Sequence, residues 1–217
     1  MLSNAQVKPL GAPPRGKHTK RYSRPIPGER VPNDTCKIAP GIYQYTAVDD
    51  CTRCRVLKIY KRRTASNTLN FIDAVIEEVG FPIQRFQTDR GNEFFAYKVQ
   101  ERLREYGIKF RPNKPASPQL NGKVERSQKT DKVEFYAIAD LNDPELSDRL
   151  AEWQFFYNWQ RPHGSLNGKT PMQVATELGN AIPLWEDVGR SYGSTSERIQ
   201  HQNYRVDLEV KKLKECP

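Results

Sequence analysis

Hydrophobic positions recur along the chain with two different periods, and the changes of period predict alternating strands and helices. Short apolar or alternating runs indicate strands, whereas apolar residues spaced by three and four indicate helices. The predicted strands cover residues 30–38, 41–48, 54–60, 83–88 and 108–111. The predicted helices cover residues 65–79 and 92–106, and a third carries Glu125. The order is therefore β-β-β-α-β-α-β-α, which is a mixed α/β pattern.

The remaining third of the chain reads as helical at first and irregular afterwards. Residues 144–159 form an amphipathic pattern whose apolar side chains are Leu146, Leu150, Trp153 and Tyr157. A short helix is predicted at 171–178, with proline at its first turn. From Gly179 onward we expect loop, with strand fragments near 204–210. The expected organisation is a basic Pro-rich arm (1–29), a core (30–140), a helical extension (141–180) and a tail (181–217).

The net charge of the chain indicates the kind of partner that it binds. The chain has 217 residues, a net charge of +9 and a mean hydropathy of −0.81, so a substantial core is diluted by exposed basic segments. Residues 1–31 hold seven Lys and Arg against Glu29 alone. A second basic concentration surrounds Glu125, from Lys109 to Lys132. A polyanion such as nucleic acid is the natural partner, although basic residues also serve simply to keep a surface soluble.

Other classes of protein find little support. No run approaches the ~20 apolar residues of a membrane span, and the first residues lack the apolar segment of a secretory signal. We therefore expect a cytoplasmic protein with no membrane partner and reduced thiols. Cys51 and Cys54 form a lone C-x₂-C, and the three histidines are too scattered to complete a zinc site.

Three carboxylates lie within or directly after predicted elements. Asp34 lies in the first predicted strand, Asp89 follows the fourth, and Glu125 lies in a helix after a Pro/Asn/Gly loop. Hard divalent cations such as Mg²⁺ prefer carboxylate and water oxygens. Two such ions about 3.5–4 Å apart activate the attacking oxygen and stabilise the leaving oxygen in phosphoryl transfer.

The motifs around these residues resemble a known family. The segment TDRGNEF, a gap of 35 residues between Asp89 and Glu125, and PASPQLNGKVERS are similar to the core of integrases and DDE transposases. The later YNWQRPHGSLNGKTPMQ resembles the tail of bacterial insertion-sequence transposases. The resemblance implies a ribonuclease H-like fold, a mixed five-stranded sheet flanked by helices with a helical C-terminal extension.

The resemblance also implies an activity and a site. Asp34, Asp89 and Glu125 would be the catalytic residues, holding two Mg²⁺ or Mn²⁺ ions for DNA strand cleavage and strand transfer. The Asp34-Thr35-Cys36 context matches the family's first aspartate. Asp49 and Asp50 compete for that role, but we expect them to form a turn with a salt bridge to Arg53 or Arg55.

Polar residues around the third carboxylate are the predicted DNA contacts. They are Lys114, Asn121, Lys123, Arg126, Lys129 and Lys132. Asn121, Lys129 and Lys132 fall within about 40° of Glu125 on an ideal helix, whereas Arg126 points away by about 100°. By resemblance the partners are the element's DNA ends and a target DNA, bound by a homo-oligomer in a synaptic complex.

Two alternatives stay open at this point. Bacterial relatives usually place a helix-turn-helix segment before the core, whereas here we expect only the basic arm before the first predicted strand. The chain would then be a truncated, non-catalytic DNA-binding remnant of a transposase. A cellular nuclease of the ribonuclease H type is disfavoured by the RPHGSLNGKTP segment.

Overall fold

A computed structural model describes residues 23–113, 121–195 and 197–200 of the chain. Its centre is a five-stranded mixed sheet with the strand order β3-β2-β1-β4-β5. The strands are β1 (Val31–Ala39), β2 (Ile42–Val48), β3 (Arg55–Tyr60), β4 (Arg85–Thr88) and β5 (Lys109–Pro112). The first three form an antiparallel meander, and β4 and β5 run parallel to β1. The predicted fold class is confirmed.

Helices cover both faces of this sheet. They are α1 (Ala65–Val79), α2 (Asn92–Phe95), α3 (Tyr97–Glu105), α4 (Gly122–Thr130), α5 (Leu146–Phe155), α6 (Pro171–Glu177) and α7 (Trp185–Ser191). Helix α1 has the predicted bounds because its end signals are strong: the Thr64 hydroxyl accepts from the backbone N–H of Asn67, and Gly80 is left-handed with φ 75°.

Consecutive residues of β3 show how the two faces differ. Val56 packs in the main core with α1, whereas Leu57 packs with Leu146 and Leu150 of α5. Side chains alternate across a strand, so α1 and α5 lie on opposite faces of the sheet. Helix α4 packs over β1 and β2, and both α4 and α5 continue into π-helical turns, Asp131–Phe135 and Phe156–Gln160.

The prediction of a single helix at 92–106 is wrong. The segment forms two helices, α2 and α3, separated by Ala96, whose backbone is extended with ψ 135°. The break lets two consecutive aromatic side chains reach different neighbours. Phe94 is buried against Tyr45, and Phe95 packs edge-on to Phe110 at 5.4 Å. The amide of Gln100 donates to the Phe95 carbonyl at 3.0 Å and satisfies the broken end.

The loop predicted from Gly179 onward is also wrong. Residues Gly179–Ala181 form a 3₁₀ turn and Trp185–Ser191 form helix α7. This helix has one buried side chain, Val188, so no apolar period marks it in the sequence. Tertiary contact supports it instead, since Trp185 lies against Tyr106 with ring centroids 6.4 Å apart. The predicted fragments at 204–210 and arm residues 1–22 lie outside the described residues.

Candidate active site

Strand pairing brings the first two candidate carboxylates side by side. In the parallel pair of β1 and β4, Val31 lies opposite Phe86 and Asn33 opposite Thr88. Asp34 and Asp89 are the residues that follow this last pair, and the charge of Asp89 acts on Asp34. Neighbouring strands lie about 4.8 Å apart, so the two aspartates occupy adjacent positions at the carboxyl end of β4. This is the place in such sheets where ligands gather.

The surroundings of Asp34 hold its carboxylate firmly. Its Oδ1 accepts from the Thr35 backbone N–H at 2.8 Å, and its Oδ2 accepts from Nε2 of Gln128 at 3.3 Å. Burial and the negative charge of Asp89 raise the pKa of Asp34 to about 6, against the hydrogen bonds that lower it, and Glu125 adds a smaller increase. Asp34 therefore lies in an excess of negative charge, which a cation relieves.

A tight loop fixes Asp89. The backbone N–H of Gly91 donates to Asp89 Oδ1 at 3.0 Å. A Cβ atom on Gly91 would come within 2.9 Å of Glu93 Oε2 and 3.1 Å of Asp89 Oδ1, so a side chain there would force these carboxylates to shift. Glu93 is thus a fourth carboxylate beside Asp89. The motif contains it, but the predicted triad leaves it out.

Glu125 approaches from helix α4. Its side chain is exposed, and Gln128, three residues later on the same helix, is the residue that reaches Asp34. Residues three apart on a helix are neighbours on its surface. Within the three described ranges, no group of three or more Asp, Glu, His or Cys side chains converges closely enough to hold a metal ion. The donor chemistry of Asp34 and Asp89 nevertheless fits a hard divalent cation.

The predicted DNA-contact residues fall into different environments. Arg126, Lys129 and Lys132 are exposed. Asn121 is buried, and its Oδ1 accepts from Nδ2 of Asn113 at 2.6 Å. Lys114 lies outside the described residues.

Lys123 is half-buried rather than exposed. It is ion-paired with Asp50 and also donates to the Asp50 backbone carbonyl at 3.0 Å. Its charge is therefore already directed toward a carboxylate.

Asp49 and Asp50 build the turn between β2 and β3, as expected. The buried Asp49 carboxylate accepts from the backbone N–H groups of Gly28 at 2.9 Å and Thr52 at 2.7 Å. Asp50 forms ion pairs with Arg30 at 3.1 Å and Arg53 at 3.8 Å. Both residues are thus structural in the described part of the chain.

A buried polar network beneath α4 was not predicted from the sequence. Arg55, on β3, is fully buried and pairs with the equally buried Asp131 at 2.7 Å, just past the end of α4. Its guanidinium also donates to Ser127 Oγ at 3.1 Å and lies 3.4 Å from the Tyr157 ring centroid. The network links residues far apart in sequence, and the one available signal is a charged residue inside an apolar strand.

Other chemically notable side chains take part in packing. His163 packs edge-on against Tyr157, with ring centroids 4.4 Å apart. Cys36, Cys51 and Cys54 are free thiols, and Cys54 Sγ lies 3.8 Å from Met172 Sδ. In the described part of the chain, every helix is too short or too polar to cross a membrane.

Comparison with known proteins identifies the family. Two sequence patterns, both described as Integrase core domain, match residues 24–118 and 106–171. The chain is 29% identical over 153 residues to "Putative integrase ORF3" of Spiroplasma virus SpV1-C74, covering 63% of this chain and 42% of that protein. It is 26% identical over 193 residues to an uncharacterized 39.2 kDa protein of insertion element IS476 from Xanthomonas euvesicatoria, covering 76% of this chain and 54% of that protein.

Solved structures agree on the fold. The HTLV-2 integrase catalytic core domain, determined in complex with magnesium in a trimeric form, superposes with a TM-score of 0.58 at 21% identity. That match covers 69% of this chain and 97% of the other. The two family patterns together span residues 24–171, and the chain belongs to the integrase and transposase catalytic-core family. It spans about half or less of the length of the two relatives named above.

Proposed function

We propose that this chain is the catalytic core of a DNA transposase or integrase that cleaves DNA strands and joins them to a target. The observation that carries the proposal is the proximity of Asp34, on β1, to Asp89, directly after the neighbouring parallel strand β4, with helix α4, which carries Glu125, packed over β1 and β2. Burial and, after it, the negative charges of Asp89 and Glu125 raise the pKa of Asp34, and a bound divalent cation would offset those charges.

The residues would act as follows. Asp34, Asp89 and Glu125 would hold two Mg²⁺ or Mn²⁺ ions, which supply activation of the attacking oxygen and charge neutralisation at the leaving oxygen. Gln128 orients the Asp34 carboxylate through its amide. The loop N–H of Gly91 orients Asp89 in the same way.

The proposed reaction needs no covalent intermediate between the protein and DNA. With water as nucleophile, a new P–O bond forms while the bond from phosphorus to the 3′ oxygen breaks, leaving a 5′-phosphate and a 3′-OH. With that 3′-OH as nucleophile, a target phosphodiester is exchanged and the strands become joined. Lys129 and Lys132, exposed on the helix that carries Glu125, are proposed to bind backbone phosphates near the reacting one.

The decisive experiment replaces Asp89 by Asn, which keeps the shape and removes one negative charge. The purified parent and variant are incubated with Mn²⁺ and duplexes that carry the element's own ends, and nicked and joined products are counted. Calorimetry measures Mn²⁺ binding on the same samples. We expect the parent to cut and the variant to lose both cutting and most of its Mn²⁺ affinity, while its circular dichroism spectrum is unchanged.

Two results would argue against the proposal. Equal cutting by the parent and the Asp89→Asn variant would show that the carboxylate assignment is wrong. A parent that binds end DNA but neither cuts it nor binds Mn²⁺ would support the alternative of a DNA-binding remnant. Asp49→Asn is the matched control, because it removes the same charge from a carboxylate that serves the turn and should affect stability rather than Mn²⁺ binding.

A further inference from the structure

Helix α4 has a second polar flank, turned away from the carboxylates. Gly122, Arg126 and Thr130 are spaced by four and line a cavity of about 760 Å³. The turn between β2 and β3 forms a second wall, and the loop Arg161–Ser165 forms a third. The RPHG segment, which the proposed catalytic site does not use, therefore borders a defined concave surface.

This cavity is strongly basic. Its lining includes five cationic side chains, namely Arg30, Arg53, Lys123, Arg126 and Arg161. Two carboxylates partly compensate them. Asp50 receives Arg30, Arg53 and Lys123 together, and Glu134 pairs with Arg161. The buried Asp49 carboxylate also acts on Arg53, so five positive charges stand against three negative ones, and concave low-dielectric walls concentrate the remaining positive field.

Arg126 is the cation best placed to meet a ligand. Its side chain is exposed, and it forms no ion pair with any described residue. It lies roughly 100° around the helix from Glu125, on the side where Gly122 and Thr130 line the cavity. Arg161 borders the cavity from the opposite wall, and its partner Glu134 is itself exposed.

Hydrogen bonds fix the turn that carries Arg53. Arg53 has a left-handed backbone with φ 67°, a conformation that costs free energy for a residue other than glycine and is held only where the surroundings impose it. The surroundings here are the buried Asp49 carboxylate, which binds the N–H and hydroxyl of Thr52, and the Asp49 carbonyl, which accepts from Arg53 N–H at 3.0 Å. The turn thus presents Arg53 to the cavity in a fixed position.

The field of this cluster also acts on a neighbouring titratable group. The pKa of His163 is lowered by burial and by the charges of Arg161, Arg55 and Arg53, while its contact with the Tyr157 carbonyl opposes the change. The imidazole is therefore neutral at physiological pH and leaves the arginines as the anion-binding groups. Guanidinium groups match phosphate oxygens in planar, bidentate geometry.

From these observations we infer that this cavity, bounded by α4, the β2–β3 turn and the RPHG loop, binds the phosphodiester backbone of DNA at a site separate from the catalytic carboxylates. Helix α4 then contacts DNA both beside Glu125 and in the cavity, where Arg126 lies. The inference rests on the proposed function for the identity of the nucleic acid, because the arginines that line the cavity indicate phosphate groups and not DNA in particular.

The test measures binding without catalysis. A fluorescein-labelled duplex of random sequence is titrated with protein in EDTA at several KCl concentrations. The test variant is Arg126→Gln/Arg161→Gln, and the matched control is Arg149→Gln/Arg190→Gln, which removes two exposed arginines that do not line the cavity. Two lost phosphate contacts should make the log–log salt slope shallower by about 1.8 and weaken binding about 30-fold at roughly 0.15 M salt. The control should change the slope by less than half as much.

Each other outcome has a definite meaning. If the test variant keeps the parent's slope, the cavity does not bind the backbone and the inference is wrong. If inorganic phosphate at constant ionic strength raises the melting temperature of the parent but not of the variant, while the DNA slope is unchanged, the cavity takes free phosphate and the inference is again wrong. Failure of the proposed function appears elsewhere, as a parent that binds DNA with the full slope but does not cut it in Mn²⁺.

Discussion

Replacing Asp131 by Asn tests the buried network that holds helix α4 against the sheet. The carboxylate is fully buried and accepts three hydrogen bonds. These come from Arg55 Nη1 at 2.7 Å, Trp153 Nε1 at 2.8 Å and Gln44 Nε2 at 2.8 Å. The substitution keeps the shape of the side chain and removes its charge, so it isolates the electrostatic part of the network.

The expected cost follows from the isolation of Arg55. Burial lowers the pKa of this arginine and the charge of Asp131 opposes that change, so the carboxylate is its main compensation. Leaving a buried charge without its partner costs about 3–5 kcal/mol. We expect the lower end, near 3 kcal/mol, for two reasons. The Tyr157 ring still faces the guanidinium, and the Gln44 amide can turn its otherwise unpartnered Oε1 toward the new NH₂ group.

Urea unfolding followed by circular dichroism measures this cost. A loss of about 3 kcal/mol at an unchanged slope should lower the midpoint by roughly 1 M or more, a large part of the 5–15 kcal/mol typical of a domain. Asp143→Asn is the control, because its carboxylate pairs with the exposed Arg149, and a solvent-screened pair of this kind should move the midpoint far less. A loss below 1 kcal/mol for Asp131→Asn would refute the view that the ion pair fastens α4.

Two further substitutions probe the loop after β4 and the edge of the sheet. Gly91→Ala places a Cβ against the Glu93 and Asp89 carboxylates. Because Glu93 can move at little cost, we expect a near-normal melting temperature but a fall in strand cleavage of about 10- to 100-fold; unchanged cleavage would mean that the position of Asp89 is not critical. Asn158→Ala removes both bonds that its amide makes to the Arg55 backbone, at 3.0 and 2.8 Å. It should cost about 2–4 kcal/mol in urea unfolding, and a loss below 1 kcal/mol would show that water replaces the amide.

Local signals explain why much of the sheet and helix α1 could be predicted. Thr64 and Gly80 mark the two ends of α1 with side-chain and backbone chemistry that the sequence displays directly. Pro40 and Gly41 mark the turn between β1 and β2, and the bounds of the three meander strands differ from the prediction by one residue at most. The break at Ala96 had no comparable signal, because it depends on where Phe110 of another strand lies.

The candidate site divides in the same way. The sequence identified Asp34 and Asp89 as candidates, and the register of β1 against β4 explains why they are adjacent; their role with metal ions stays a prediction. Gln128 and Asp131 were not predicted because their partners, Asp34 and Arg55, lie 94 and 76 residues away. The local hydrophobic pattern does not indicate such long-range contacts, because they form only when α4 packs across the sheet.

The helical extension is better understood as part of the core than as an appendage. Strand β3 is an edge strand of the sheet, and exposed edges leave unpaired N–H and C=O groups. Two side chains of the extension satisfy them: Gln154 accepts from the Leu57 N–H at 2.6 Å, and Asn158 pairs with both backbone groups of Arg55. Trp153 from the same extension donates to Asp131. The segment 153–158 thus covers the sheet edge and supports the helix that carries Glu125. Removing this segment should therefore disturb the proposed catalytic helix, even though none of its residues contacts Asp34 or Asp89 in the contacts described.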